Sequence, residues 1–271
     1  MSWIATLALA ATLASAAPAF AMSPASPDTP ANVTVEQVKS ALSAAKPDHP
    51  ADLAGKSLKN LDLSGLNFSG ANLKGANLFG AKLADTNFTR ADLEGANLNL
   101  SWLIHANFTD ANLTDASLVA PVVAEGLDAK TGEIPIFKGA NLSGARVQAR
   151  FTGGNLEGAK FTGGDVSAHL NNQSMGLMHT EMMDADLAGA DFSNTNLGHA
   201  DLSFANIRGA NFAGADLSRA VLTGADASGA DFTGALMTGA ELDGTKLTGA
   251  KGLDKAKDLA SAKGYKPDSG N

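Results

Sequence analysis

The chain has 271 residues, a formal net charge of -8 and no cysteine. Without cysteine there are no disulfides, zinc–thiolate sites or thiol nucleophiles, which suits an oxidising compartment where stray thiols are a liability. An acidic balance without a basic patch argues against direct binding of nucleic acid.

Residues 1–21 read as a secretory signal. Trp3 to Leu13 is apolar but too short to span a bilayer, and Ala19-Phe20-Ala21 offers a small-x-small cleavage site. No Lys or Arg precedes this core, the first being Lys39. The expectation is a periplasmic or secreted protein with no stable membrane insertion after cleavage. Residues 22–33 carry Pro24, Pro27 and Pro30 and read as a linker. Over 34–46, Thr34 and Gln37 make a capping-box pattern, and Val35, Val38, Ala41 and Leu42 share one helical face ahead of Pro47. This predicts a short helix that covers one end of the repetitive region beyond it.

That region, residues 47–252, repeats every five residues. Large apolar centres recur at Leu58, Leu63, Phe68, Leu73, Leu78, Leu83 and Phe88 and onward to Leu118. Ala sits two before most centres, as at Ala71, Ala76 and Ala91. Residues two apart share one face of a strand, so the Asn or Asp between Ala and centre points outward. Five is odd, so on a straight strand the next centre would fall on the wrong face. The chain must turn a corner in every repeat, which the Gly and Asp at the corners suit. A helix would let the centres drift around its axis. A second period sets the coil: Phe68, Phe88 and Phe108, and later Phe192, Phe212 and Phe232, are spaced by twenty. Four repeats per coil would stack these rings in one column at roughly 4.8 Å.

The Ala-(Asn/Asp)-(Leu/Phe)-x-Gly run resembles the pentapeptide-repeat family. The resemblance implies an all-β fold, a right-handed quadrilateral β-helix, here with short capping helices at both ends. It implies function only weakly. Some members of that family mimic duplex DNA and bind DNA gyrase, which an acidic second block would suit and an exported chain would not.

The rhythm breaks at 119–136. Nineteen residues separate Leu118 from Phe137, which three repeats and four extra residues would fill, within 124–134. It resumes with one residue missing between Val147 and Leu156 and one extra between Val166 and Leu177. On that arithmetic Phe151 shares the column of Phe192, with Asn171 or Asn172 a weak point one coil earlier. Residues 253–271 read as a second capping helix, Leu253 to Lys263 with Gly264 as its stop, and a tail.

Candidate sites are few. The interior is filled by Leu, Phe and Ala, and the five histidines are scattered, so no catalytic constellation forms and the reading is non-enzymatic. Phe79, Trp102 and Ile104 break the polar outer pattern, and Trp102 stacks on Val122 one coil on. These four make a candidate protein-interaction patch for a structural or interaction scaffold. His179 and His199 are twenty apart and, with Met178 and Met183 beside them, offer soft thioether and imidazole donors that suit copper. Met182 is a centre and Met175 sits two before one, which makes both core fillers.

Overall fold

The computed structural model describes residues 30–126, 132–167 and 180–265. Backbone pairing is parallel throughout the repeats, and from Asp52 to Val122 it links residues twenty apart, as in Asp52↔Asn72, Ser57↔Asn77, Asp62↔Lys82 and Asn67↔Asn87. One coil thus carries four pairing positions, each a single bridge between two corners. Among the described residues, pairing widens into strands only where β1 (Ser117–Val119) lies parallel to β2 (Arg146–Gln148).

Each corner closes through a bond from the alanine N–H back to the preceding centre, for example Ala76 N–H to the Leu73 carbonyl at 3.0 Å. The residue before that alanine is left-handed. It is glycine at Gly75 (φ 60°) and Gly95 (φ 65°), and aspartate at Asp110 (φ 56°) and Asp115 (φ 56°), the residue types that tolerate this region best. The centres and alanines form one continuous buried core from Ala51 to Leu242.

The aromatic column is confirmed in its first stretch and corrected in its second. Phe68, Phe88 and Phe108 stack at 4.9 and 4.8 Å, and Phe137 continues them at 4.8 Å. Phe192, Phe212 and Phe232 also stack, at 5.2 Å each, but the ring above Phe192 is Phe161, at 4.8 Å. Their column lies one side further round: Phe137 stands beside the bridge Asn107↔Ile136, whereas Phe161 and Phe192 stand on the next side, which runs through Asn112↔Asn141, Asn141↔Lys160 and Lys160↔Asp191. Phe151 belongs to neither stack and meets Phe137 edge-on at 5.2 Å. The cause is the length of the interruptions. Asn107 pairs with Ile136, twenty-nine residues on, so the first excursion holds nine extra residues rather than four. Lys160 pairs with Asp191, thirty-one on, so the second holds eleven rather than one. Asn171 and Asn172 lie outside the described residues, and Phe161 fills the column position assigned to them. The missing residue before Phe151 is borne out, since Asn141 pairs with Lys160, nineteen on.

At the N-terminal end, α1 (Val35–Ala44) has the expected capping box. Gln37 N–H donates to Thr34 Oγ1 at 3.2 Å and Thr34 N–H to Gln37 Oε1 at 2.8 Å. Val38 is fully buried, and Val33, Val35, Ala41 and Leu42 pack against the same core. Asn32, in the stretch read as linker, is docked on the first coil by its N–H to the Ser57 carbonyl and its Oδ1 from the Ser57 N–H. The C-terminal helix expected over Leu253 to Lys263 does not form. Two 3-10 turns, Leu253–Lys255 and Leu259–Ser261, stand there instead. Lys257 bridges Leu236 and Lys263 bridges Glu241, so the coil simply continues in steps of six. A helix would have drawn those backbone groups away from the edge of the preceding coil, leaving its donors unpaired. Residues 1–29, including the stretch read as a secretory signal, and the tail from 266 lie outside the described residues.

Candidate interaction surface

The outward position between alanine and centre does more than face water. Of the five N–H groups in the repeat Asn72 to Ala76, four donate to backbone carbonyls; the fifth, Lys74 N–H, donates to Asn72 Oδ1 at 3.2 Å. An Asx side chain is thus the acceptor that completes the repeat. Between coils the same side chains pair again. Asn72 Nδ2 donates to Asp52 Oδ1 at 2.9 Å, Asn112 to Asp92 at 3.0 Å, Asn206 to Asp186 at 2.9 Å and Asn211 to Asp191 at 3.0 Å. Where Asn alternates with Asp down a side, as at these four pairs, the amide supplies a donor to the carboxylate one coil earlier.

The acidity of the second block therefore has a structural cause. Asp165, Asp186, Asp191, Asp201, Asp216, Asp226 and Asp231 each accept the backbone N–H two residues on. Bonds from the Ser228 hydroxyl and N–H, then the Arg208 guanidinium, hold Asp226 below the usual carboxylate range, and bonds from Thr233 do the same for Asp231. At Asp191 burial opposes ionisation most strongly, yet bonds from Ser193, Thr162 and Asn211 together still lower it.

Against this polar background a few apolar side chains are exposed. Trp102 is 48 % exposed and bridges Val122 on the next coil, as expected. Leu100, 46 % exposed, stands at the corner before Trp102 with φ 57°. Phe79, half-buried, lies at the same corner one coil earlier with Lys59 Nζ 5.4 Å from its ring centre. Ile136 is exposed on the next side of the coil. Ile104 is not part of this surface: it is only 7 % exposed. The first excursion re-enters across its corner, where the Glu133 carbonyl accepts the His105 N–H at 2.8 Å and Glu133 and Ile134 are themselves buried. Leu100 was legible in principle, because an apolar residue at a corner position held mostly by Gly, Asx or other polar residues has nowhere inward to go. The same holds for Phe204, 60 % exposed at another corner with φ 59°.

The histidine–methionine group is only partly described. Met178, His179 and Met175 fall outside the described residues. Met182 is a buried centre, as read. Met183 and His199 lie on neighbouring coils, at the corners after Met182 and before Asp201, which are opposite ends of one side. Among the described residues no three His, Asp or Glu side chains gather as a metal-holding group, and no helix is long and apolar enough to cross a membrane.

Fold and surface together define a repeat solenoid whose interior is filled and whose chemistry lies on its outer sides. The chain belongs to the pentapeptide-repeat family: the model for pentapeptide repeats matches in eight copies over residues 51–78, 81–119, 180–219 and 215–251. Solved structures with similarity include HetL, a pentapeptide repeat protein involved in heterocyst differentiation regulation from the cyanobacterium Nostoc sp. strain PCC 7120. It is 25 % identical with a TM-score of 0.37, over 85 % of this chain and 94 % of that one. QnrB1, a plasmid-mediated fluoroquinolone resistance protein, is 21 % identical with a TM-score of 0.37, over 76 % and 92 %. A pentapeptide repeat protein of the Arabidopsis thaliana thylakoid lumen is 28 % identical with a TM-score of 0.22, over 47 % and 80 %. No curated protein sequence matches the chain.

Proposed function

We propose that this chain is an exported, non-enzymatic scaffold: a right-handed, four-sided β-helix, closed at its N-terminal end by α1, that binds a protein partner on the side carrying Trp102. The observation that carries this reading is the cluster of Leu100, Trp102 and Val122 on one stretch of a surface that is otherwise mostly polar. Large exposed aromatic and aliphatic groups gathered in one place are what a partner can desolvate with a net gain in free energy. A filled interior leaves the outer sides as the place where this protein can act.

The test is site-specific photocrosslinking in the native envelope. A photoreactive residue at position 102 should give one discrete product, and the same residue at Lys160, on another side, should not. Trp102→Glu should abolish co-purification of that product's partner with the circular dichroism spectrum unchanged. Equal crosslinking from both positions would count against the patch. Export is tested separately: mass spectrometry of the native protein should find a mature chain beginning at Met22, and an intact Met1 on a cytoplasmic species would overturn it.

A further inference from the structure

The last coil differs from all others in its charge. Its four bridging positions are Lys246, Lys251, Lys257 and Lys263, one on each side, and all four are exposed. The coil before it has Asp226, Asp231, Leu236 and Glu241 at those positions. A hexad explains the placement: Ala250-Lys251-Gly252-Leu253, Ala256-Lys257-Asp258-Leu259 and Ala262-Lys263-Gly264-Tyr265 set a lysine beside every inward alanine. Residues 180–242 hold nine acidic residues and two arginines, whereas 243–265 hold five lysines and three aspartates. One of those aspartates, Asp258, accepts the Thr238 hydroxyl at 2.8 Å.

The lysines ring an apolar end. Leu247, Leu253, Leu259 and Tyr265 are only partly buried, whereas Ala227, Phe232 and Met237 one coil earlier are fully buried and Leu242 nearly so. Among the described residues nothing packs over this end, while α1 lies over the opposite one.

We infer that the C-terminal end of the solenoid docks on an anionic lipid surface, with the molecule standing end-on and not inserting. An apolar disc with a cationic rim is the footprint of interfacial binding, and the acidic sides disfavour any other orientation on such a surface. The cationic side chains of this rim are all lysine. Compact charges on flexible stems suit a diffuse field of headgroup phosphates, where a directional protein contact favours the planar fork of arginine. A second copy fits poorly, because end-to-end stacking about a two-fold axis would set one lysine ring against another. The inference is independent of the Trp102 side.

The experiment is co-sedimentation of the full chain with phosphatidylglycerol-containing vesicles and with phosphatidylcholine vesicles. The difference between the two isolates the part of the binding that depends on headgroup charge. Binding should favour the anionic vesicles and weaken at least about tenfold at molar salt, where the screening length shrinks to about 3 Å. K246Q/K251Q/K257Q/K263Q should weaken it by roughly a hundredfold. Two of those lysines pair with Asp226 and Glu241, so Lys257→Glu, opposite Leu236, provides a variant that breaks no ion pair and should also lose affinity. Lys160→Gln should change nothing. Equal binding to both vesicle types, or unchanged binding by the lysine variants, would overturn the inference. So would a dimer in light scattering that dissociates in the quadruple variant, or binding to polyglutamate but not to vesicles.

Discussion

A fully buried phenylalanine in this solenoid is held by its own stack rather than by one neighbour. Phe88 lies between Phe68 and Phe108, with ring centres 4.9 and 4.8 Å away and planes 12° and 7° from parallel. Phe88→Ala should cost about 3–5 kcal/mol in denaturant unfolding, the range for buried aromatic truncations; a loss under about 1 kcal/mol would show the stack to be dispensable. The outward Asx residues are the second decisive type. Asn211 donates to Asp191 and is bridged to Asp231 on the next coil. Asn211→Asp would remove that donor and set three carboxylates in successive coils. We expect a loss of about 1 kcal/mol at neutral pH, since like charges directly opposite destabilise and the partly buried Asp191 loses one of its donors. The loss should shrink as the mutant is acidified, because a protonated carboxyl can donate. Thermal melts of both proteins at neutral and acid pH would check it.

At the scale of elements, the ends of the coil carry what the five-residue rule cannot. Helix α1 begins on a capping box and inserts Val38 into the core. Thr34→Ala should cost about 1 kcal/mol and speed amide hydrogen exchange in α1 more than in the central coils, which distinguishes fraying of the cap from global loss. The C-terminal residues show how local pattern can mislead. Leu253 to Lys263 has helical composition and a glycine stop, yet Leu253, Leu259 and Tyr265 are six apart, as are Ala250, Ala256 and Ala262. The open edge of the preceding coil selects the extended conformation at Lys257 and Lys263, because only that satisfies its backbone. The Trp102 patch shows the same division. Trp102 and Val122 were legible from twenty-residue spacing, whereas the burial of Ile104 depends on where an excursion returns.

For the whole molecule, the hydrogen-bonded aspartates couple stability to pH. Asp62, Asp191, Asp226 and Asp231 all have folded-state values below the ordinary aspartate value of 3.8. A depressed folded value means that the unfolded chain takes up protons first. The stabilisation is therefore complete above pH 3.8 and is lost as pH falls from there through the folded-state values. The thermal midpoint should be nearly flat from neutral pH down to about 4 and then drop, while a midpoint that rises on acidification would contradict the role given to these residues. The coil itself was readable in advance, because an odd period with Ala and Leu on one face permits only a chain that turns in every repeat. Which side each residue occupies was not. The nineteen residues from Leu118 to Phe137 equal three repeats and four, or two repeats and nine; the sixteen from Val166 to Met182 equal three repeats and one, or one repeat and eleven. Periodicity determines position within a repeat but leaves the count of repeats around the coil free, since every side accepts the same five residues. Pairing between coils and the stacking of Phe137 on Phe108 decide it, because those contacts reward one phase alone and exist only once the chain has closed on itself.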